Sequence, residues 1–318
     1  MESSALISLY KTAGKCAGLA VLVGAFVVLA PRLAFAHGEV GDYTFIEPLI
    51  ANDPFPQLNE IDPVKVQSTF APQARQVGIG ASVKKQITQN FGLEVESGWI
   101  QQSYGSGVSR QGFDVLTVMP KYSILVIPEH AVMVTIGSIM MFPTGNDIVQ
   151  FHSYTELGPQ LMWAKGFSDL PDVDFARFLR PLGLEGDLGY APAVAGPTYH
   201  WLFADVVVQY ALAYLSGKIL ESPLPYPLRN LFLFSEFNYN QAVVGPAEQT
   251  FPLLYVTPGV AYMGSVFQVS IAGQFSLNRA AATSISNVGS VPNSHGGVLF
   301  LLDIFLDEIF PAVAWTPF

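Results

Sequence analysis

Charged side chains are scarce in this sequence of 318 residues, where they make up 13% of the chain although half of it is apolar. Soluble domains carry about twice that charged fraction. So little charge could hardly cover the surface of a soluble protein, and the composition therefore indicates a membrane protein. The formal net charge of −10 is unfavourable for contact with phosphate backbones, so we expect no nucleic-acid partner.

Cysteine is almost absent, and the one cysteine, Cys16, lies in a segment that we predict to be a signal peptide, residues 1–36. Two lysines precede an apolar stretch at residues 17–30, which is short for a membrane helix, and Ala34-Phe35-Ala36 matches an A-x-A cleavage site. An uncleaved anchor is the alternative. Cleavage would leave 12 basic and 24 acidic residues, a net charge of −12, and no cysteine for disulfides. Such a chain is typical of the Gram-negative bacterial envelope.

Helical periodicity is missing from the most regular stretch, residues 265–277, which has a period of two instead. Val266 and the residues at every second position after it, such as Gln268, Ser270 and Gln274, are polar or small. The intervening set, which begins at Phe267, is mostly apolar. A long strand with one apolar face and one uncharged polar face suits a wall between lipid and water.

Similar strand candidates recur every 12 to 20 residues from Arg75 onward, and eleven of them are long. Single-chain outer-membrane barrels have an even number of strands. We therefore predict an all-β, transmembrane, antiparallel up-and-down barrel of about twelve strands over residues 75–318. The twelfth strand is expected near residues 64–70 or 312–318. Before the barrel, the proline-rich residues 37–74 are predicted to form an irregular arm or plug.

A helical membrane protein is the main alternative, because residues 249–278 contain no charged side chain. Pro252 and Pro258 interrupt that stretch, however, and charges such as Glu94 and Asp187 recur inside other candidate segments. A charge costs about 2.5–3.5 kcal/mol at the centre of a membrane helix, whereas a barrel strand can point it into a wet lumen. The barrel is favoured, with a soluble periplasmic β-sandwich as a further alternative.

The aromatic side chains fit this prediction, since tyrosines and tryptophans lie mostly near expected strand ends or turns, Trp201 and Tyr255 among them. Amphipathic rings favour the headgroup level of a bilayer. We interpret these residues as two aromatic belts of the barrel.

Catalytic and metal-binding motifs are lacking. His152 and Glu156 have the spacing of two metal ligands on a helix, but no third ligand lies nearby, and on a strand they would be about 13 Å apart. The pairs His152–Ser153 and Ser294–His295 lack a G-x-S-x-G elbow, and adjacent residues of a strand point to opposite faces. We expect no catalytic residue, no metal and no cofactor.

One set of polar residues falls on the predicted inner faces of the strands. These side chains could line a pore and disfavour anions, or they could merely solvate the barrel interior, and the sequence does not separate the two. The candidate lumen-lining residues are Glu94, Glu96, Glu185, Asp187, Glu236, Asn238, Gln268 and Gln274.

Three motifs resemble the transporter-like outer-membrane barrels of the MetA-pathway of phenol degradation family. They are the start Ala36-His37-Gly38 before a Pro/Asp-rich arm, the strand end Phe142-Pro143-Thr144-Gly145, and the last-strand sequence from Phe305 to Pro311. The resemblance implies a channel for small hydrophobic compounds. The chain departs from the usual outer-membrane ending at Thr316 and Pro317, although it ends in Phe318.

We therefore expect a channel or transporter-like protein in the outer membrane that passes small, hydrophobic or aromatic molecules. Its expected partners are the lipid bilayer, a small-molecule solute and the outer-membrane insertion machinery. A lipase-like barrel enzyme and a structural barrel without transport are the alternatives.

Overall fold

The computed structural model describes residues 38–56, 59–71, 74–104, 107–145, 155–195, 200–244, 252–278 and 296–310. The predicted signal peptide lies outside these residues. Strands dominate the described chain, and their bounds are β1 Glu39–Val40, β2 Tyr43–Thr44, β3 Glu60–Ala71, β4 Ala74–Gln86, β5 Phe91–Tyr104, β6 Ser109–Phe113, β7 Leu116–Ile127, β8 Val132–Phe142, β9 Thr155–Gly166, β10 Leu182–Ala195, β11 His200–Ala211, β12 Leu231–Val244, β13 Leu253–Met263, β14 Phe267–Ser276 and β15 Gly296–Phe305.

The long strands close into one antiparallel barrel. Each pairs with its neighbour in the sequence, and the barrel closes where β15 pairs with β3, so that Phe305 is the partner of Glu60. β6 and β7 share one position in the wall, because both pair with β5, β6 along its second half and β7 along its first half. The barrel therefore has twelve positions, and the predicted fold is confirmed.

Side chains alternate between the two surfaces of the wall. On β14, Gln268, Ser270, Ala272 and Gln274 are buried, whereas Ile271 is 51% exposed. The same alternation runs along most of the other strands and leaves apolar side chains on the outer surface, including Ile79, Val83, Tyr122, Ile124, Ile136, Leu161, Leu188, Leu233, Phe237, Phe275 and Val298. The barrel is thus polar inside and apolar outside.

The barrel begins earlier than the sequence indicated. Glu60–Ala71 is the twelfth strand, and it includes residues 64–70, one of the two places expected for it. The boundary expected between residues 74 and 75 is wrong, because the barrel already begins at Glu60. Pro63 belongs to the proline-rich segment that was expected to be irregular. It lies where the pairing of β3 with β4 shifts register, between Asp62 and Lys65, and proline is tolerated at such a bulge because no ladder hydrogen bond is needed there.

The last strand is shorter than expected. β15 ends at Phe305, and Leu306–Ile309 form a helical turn rather than a continuation of the strand. The alternative site for the twelfth strand, residues 312–318, lies outside the described residues.

Helical structure in the described chain is confined to short turns. Pro128–His130 joins β7 to β8, Ala176–Leu179 lies between β9 and β10, and Leu212–Ile219 and Leu228–Asn230 lie between β11 and β12. Within the described ranges, no helix has the length and apolar character needed to cross a membrane.

Candidate functional site

The predicted lumen-lining residues all lie on the inward-facing side of their strands. Seven of these side chains are at most 8% exposed, and Glu96 is half-buried. They do not form one cluster. Instead, they are distributed around the lumen on β5, β10, β12 and β14.

The arm, residues 38–56, runs inside the barrel, where glutamine side chains bind its backbone. Gln209 accepts a hydrogen bond from the amide of Ile46 (3.1 Å) and donates one to the carbonyl of Thr44 (3.1 Å). Gln268 accepts from the amide of Glu47 (3.0 Å) and donates to its carbonyl (2.9 Å). Each glutamine thus satisfies both a donor and an acceptor of buried, irregular backbone, which would be costly to bury without partners.

Two carboxylates hold the innermost part of the arm. Glu236 accepts hydrogen bonds from three successive backbone amides, at residues 49, 50 and 51, over 2.6, 2.9 and 3.1 Å. Asp187 accepts from both the backbone amide and the side-chain amide of Asn52, at 2.6 and 2.8 Å. Hydrogen bonds to charged acceptors are the stronger kind, so these are firm attachment points.

A tyrosine fixes the arm near its entry. Gly166 and Gly183 are partners on adjacent strands, and a Cβ atom on either would lie within 2.8 Å of the Tyr43 side chain. The two glycines therefore make room for the ring. The Tyr43 hydroxyl donates a hydrogen bond to the carbonyl of Pro181 (2.7 Å), and burial raises its pKa, which keeps it protonated.

Buried lysines join the arm to the wall. The ammonium of Lys84 lies 2.6 Å from a carboxylate oxygen of Glu47 and 3.6 Å from one of Asp53, both on the arm. It also lies within 4 Å of Glu60 and Asp62 on β3.

Lys121 makes a second connection of the same kind. Its ammonium lies 3.0 Å from Asp53 on the arm and 2.8 Å from Glu94 on β5. Neither lysine is among the predicted lumen-lining residues. The alternation on β4 could have placed Lys84 inside, because Gly78, Gly80 and Ser82 precede it on the same face.

Negative charge nevertheless dominates the interior. Among the described residues, eleven acidic side chains are buried against two lysines. Asp205 belongs to this acidic set and was also missed by the sequence analysis, although it lies on the inward face of β11. The buried side chains that the structure describes therefore include far more acidic than basic groups.

A cavity of about 270 Å³ lies beyond the innermost residues of the arm, which contribute Leu49, Ile50 and Asn52 to its lining. One wall is apolar and includes Met119, Ile139, Ala191, Trp201 and Phe203, which pack as one cluster. The remaining lining is mixed, and its polar members include Lys65, Glu96, Asp205, Asn240 and Gln274. A small molecule with an apolar body would therefore find both an apolar and a polar surface here.

Two of the expected belt aromatics belong to this interior. Trp201 is 3% exposed and Tyr255 is 5% exposed, both on the inward face of the wall. For these two residues, the position near a strand end predicted a lipid-facing ring, and the structure shows that this was wrong. Alternation along the strand decides the facing side of a residue, whatever its distance from the strand end.

The residues weighed for catalysis are mostly outside the described chain. His152, Ser153, Ser294 and His295 all lie there, and Glu156 faces the lumen from β9. No group of three or more potential metal ligands occurs in the part of the chain that the structure describes.

Several solved structures are similar to this chain. The COG4313 outer membrane channel from Pseudomonas putida F1 matches with a TM-score of 0.53 and 10% sequence identity, over 82% of this chain and 99% of the other. The NanC porin matches with a TM-score of 0.45 and 11% identity over 76% and 98% of the two chains, and the KdgM porin with 0.41 and 10% over 76% and 97%. No family model and no curated protein matches the sequence. The first of these likenesses supports the barrel fold.

Proposed function

We propose that this protein is an outer-membrane channel that passes small, apolar or aromatic molecules and that the arm closes its lumen at rest. The observation that carries the proposal is a closed barrel with an apolar outer surface, which surrounds a cavity with one apolar wall. The resemblance of three sequence motifs to the MetA-pathway of phenol degradation family supports the same substrate class. The barrel is not an enzyme in this proposal.

The apolar outer surface is suited to lipid. A charged side chain introduced on this surface tests whether the barrel lies in a membrane. Replacing Ile271, which is 51% exposed in the middle of β14, by lysine is expected to lower the unfolding free energy by about 2–4 kcal/mol, the cost of a charge near the bilayer midplane. Denaturant titration in lipid vesicles measures this. Leu277→Lys is the matched control, because Leu277 lies just beyond the strand, where the cost falls to about 0–1 kcal/mol. Equal effects of the two substitutions would contradict the placement.

The excess of acidic side chains in the lumen predicts cation selectivity. In planar bilayers under a gradient of potassium chloride, the reversal potential should have the sign of a cation-preferring pore, because the buried carboxylates repel chloride. An anion-preferring pore, or a folded variant without the arm that shows no conductance, would contradict the proposed channel. A serine-reactive probe that labels the purified protein would favour the enzyme alternative.

A further inference from the structure

One strand presents two aromatic rings and a carboxylate to the cavity. On β11, Trp201, Phe203 and Asp205 are successive inward-facing residues, 3%, 6% and 5% exposed, and all three line the cavity. Inward-facing neighbours on a strand lie about 7 Å apart. The apolar wall therefore leads directly to a carboxylate within the length of one small molecule.

A second carboxylate lies beside the first. Asp205 is the direct antiparallel partner of Asp187 on β10, and side chains of such pairs have Cβ atoms about 5 Å apart on the same face. Asp205 accepts a hydrogen bond from the side-chain amide of Asn238 (3.0 Å), and Asp187 accepts from Asn52 through Oδ2. The Oδ1 atom of Asp187 has no hydrogen-bond partner among the described residues.

This pair lacks the close lysine partners that several other lumen acids have. Lysines pair with the carboxylates near the entry of the arm, whereas no described lysine or arginine forms an ion pair with Asp187 or Asp205. Like charges directly opposite one another are destabilising, and buried carboxylates are costly without a cationic partner. A ligand that brings a positive charge to this pair would form a close ion pair that no described lysine or arginine forms with it.

We propose that the cavity binds a small organic cation, a primary ammonium on an aromatic or apolar body. The ammonium donates hydrogen bonds to the carboxylate of Asp205, which lines the cavity, and the body packs on Phe203 and Trp201. Asp187, which is not among the lining residues, adds negative charge next to Asp205. An ammonium offers three donors, and aromatic faces attract a cation. The inference rests on the proposed channel, because the ligand reaches the cavity through the lumen, and it narrows the solute from apolar molecules in general to cationic ones.

An inorganic ion fits less well. The described residues contain no group of three metal ligands, and one side of the cavity is the apolar cluster. A neutral aromatic molecule would fill the apolar side but leave both carboxylates uncompensated. An anion would be repelled by them.

Three probes of similar shape separate these possibilities. Phenethylammonium, 2-phenylethanol and 3-phenylpropionate would be titrated calorimetrically into the full-length protein in detergent. Phenethylammonium is expected to bind roughly tenfold more tightly than the alcohol, because its hydrogen bonds are to charged acceptors, and the propionate should bind most weakly. Equal affinity for the ammonium and the alcohol would overturn the inference without any variant.

Substitutions then test which side chain is responsible for the preference for the ammonium. Asp205→Asn keeps the shape of the side chain and should remove most of the preference for the ammonium over the alcohol. Phe203→Leu should lower the affinity of the protein for both the ammonium and the alcohol. Glu129→Gln removes the same unit of charge from an exposed turn outside the lumen and should leave both affinities unchanged. An ammonium preference that persists in Asp205→Asn overturns the assignment.

Two further measurements keep the result interpretable. Circular dichroism and heat-modifiable gel migration establish that each variant folds, and Asp187→Asn replaces Asp205→Asn if the latter does not.

Vesicle permeability separates the two proposals. Flux of 2-phenylethanol without an ammonium preference in the titrations overturns only this inference, whereas ammonium binding with no flux of any probe, even in the protein without its arm, overturns only the channel.

Discussion

Deletion of residues 38–56 is expected to raise the single-channel conductance several-fold. These residues fill the lumen of a narrow barrel from its entry to the floor of the cavity. Their removal leaves the wall intact, because the barrel strands begin at Glu60 and pair with one another rather than with the arm. Recordings in planar bilayers before and after the deletion measure the effect.

A milder substitution tests the same idea without shortening the chain. Glu236→Gln exchanges one acceptor oxygen for an amide that points donors at the backbone amides of residues 49–51, and it removes the charge that strengthens those hydrogen bonds. Brief openings should become more frequent, and a protease should cleave the arm more readily. Glu221→Gln, in the exposed connection after β11, should behave as the wild type. Unchanged conductance in the deletion variant would show that the arm does not close the channel.

The strands were predictable because each carries its own signal. Residues 266–276 alternate strictly, and the structure places the polar set inside, with Gln268 and Gln274 at most 3% exposed. The charged residues inside candidate strands also favoured a barrel over a membrane helix. Glu236, for example, is tolerated on a strand because one face of that strand is sheltered from lipid. The start of the first strand was obscured by Pro63, because a bulge depends on the pairing with both neighbouring strands and has no signature within the strand itself.

The contacts inside the lumen could not be predicted in the same way. Glu236 binds backbone 185 to 187 residues away, and Gln268 binds backbone 221 residues away. Alternation tells which side of the wall a side chain faces, but the partner depends on the path of an irregular arm. For the same reason the aromatic wall was missed, since Trp201 and Phe203 meet Met119 and Ile139 only after the barrel has closed.

The buried lysine network should contribute strongly to stability, and Lys84→Met is expected to lower the unfolding free energy by about 3–5 kcal/mol. Methionine fills the same space with a straight chain, but it leaves four carboxylates around the site without their shared cation. Denaturant unfolding followed by tryptophan fluorescence measures the loss.

The partners of Lys84 decide whether that loss arises from the ion network. Combining Lys84→Met with Glu47→Gln removes the cation and its nearest carboxylate together, so the double variant should be less destabilised than the sum of the two single changes. Lys218→Met, on the exposed connection between β11 and β12, should leave the unfolding midpoint nearly unchanged. If the two lysine variants unfold alike, or if the Lys84 and Glu47 effects simply add, then the arm is held by its backbone hydrogen bonds to Gln209, Glu236 and Gln268, and the charges only orient it.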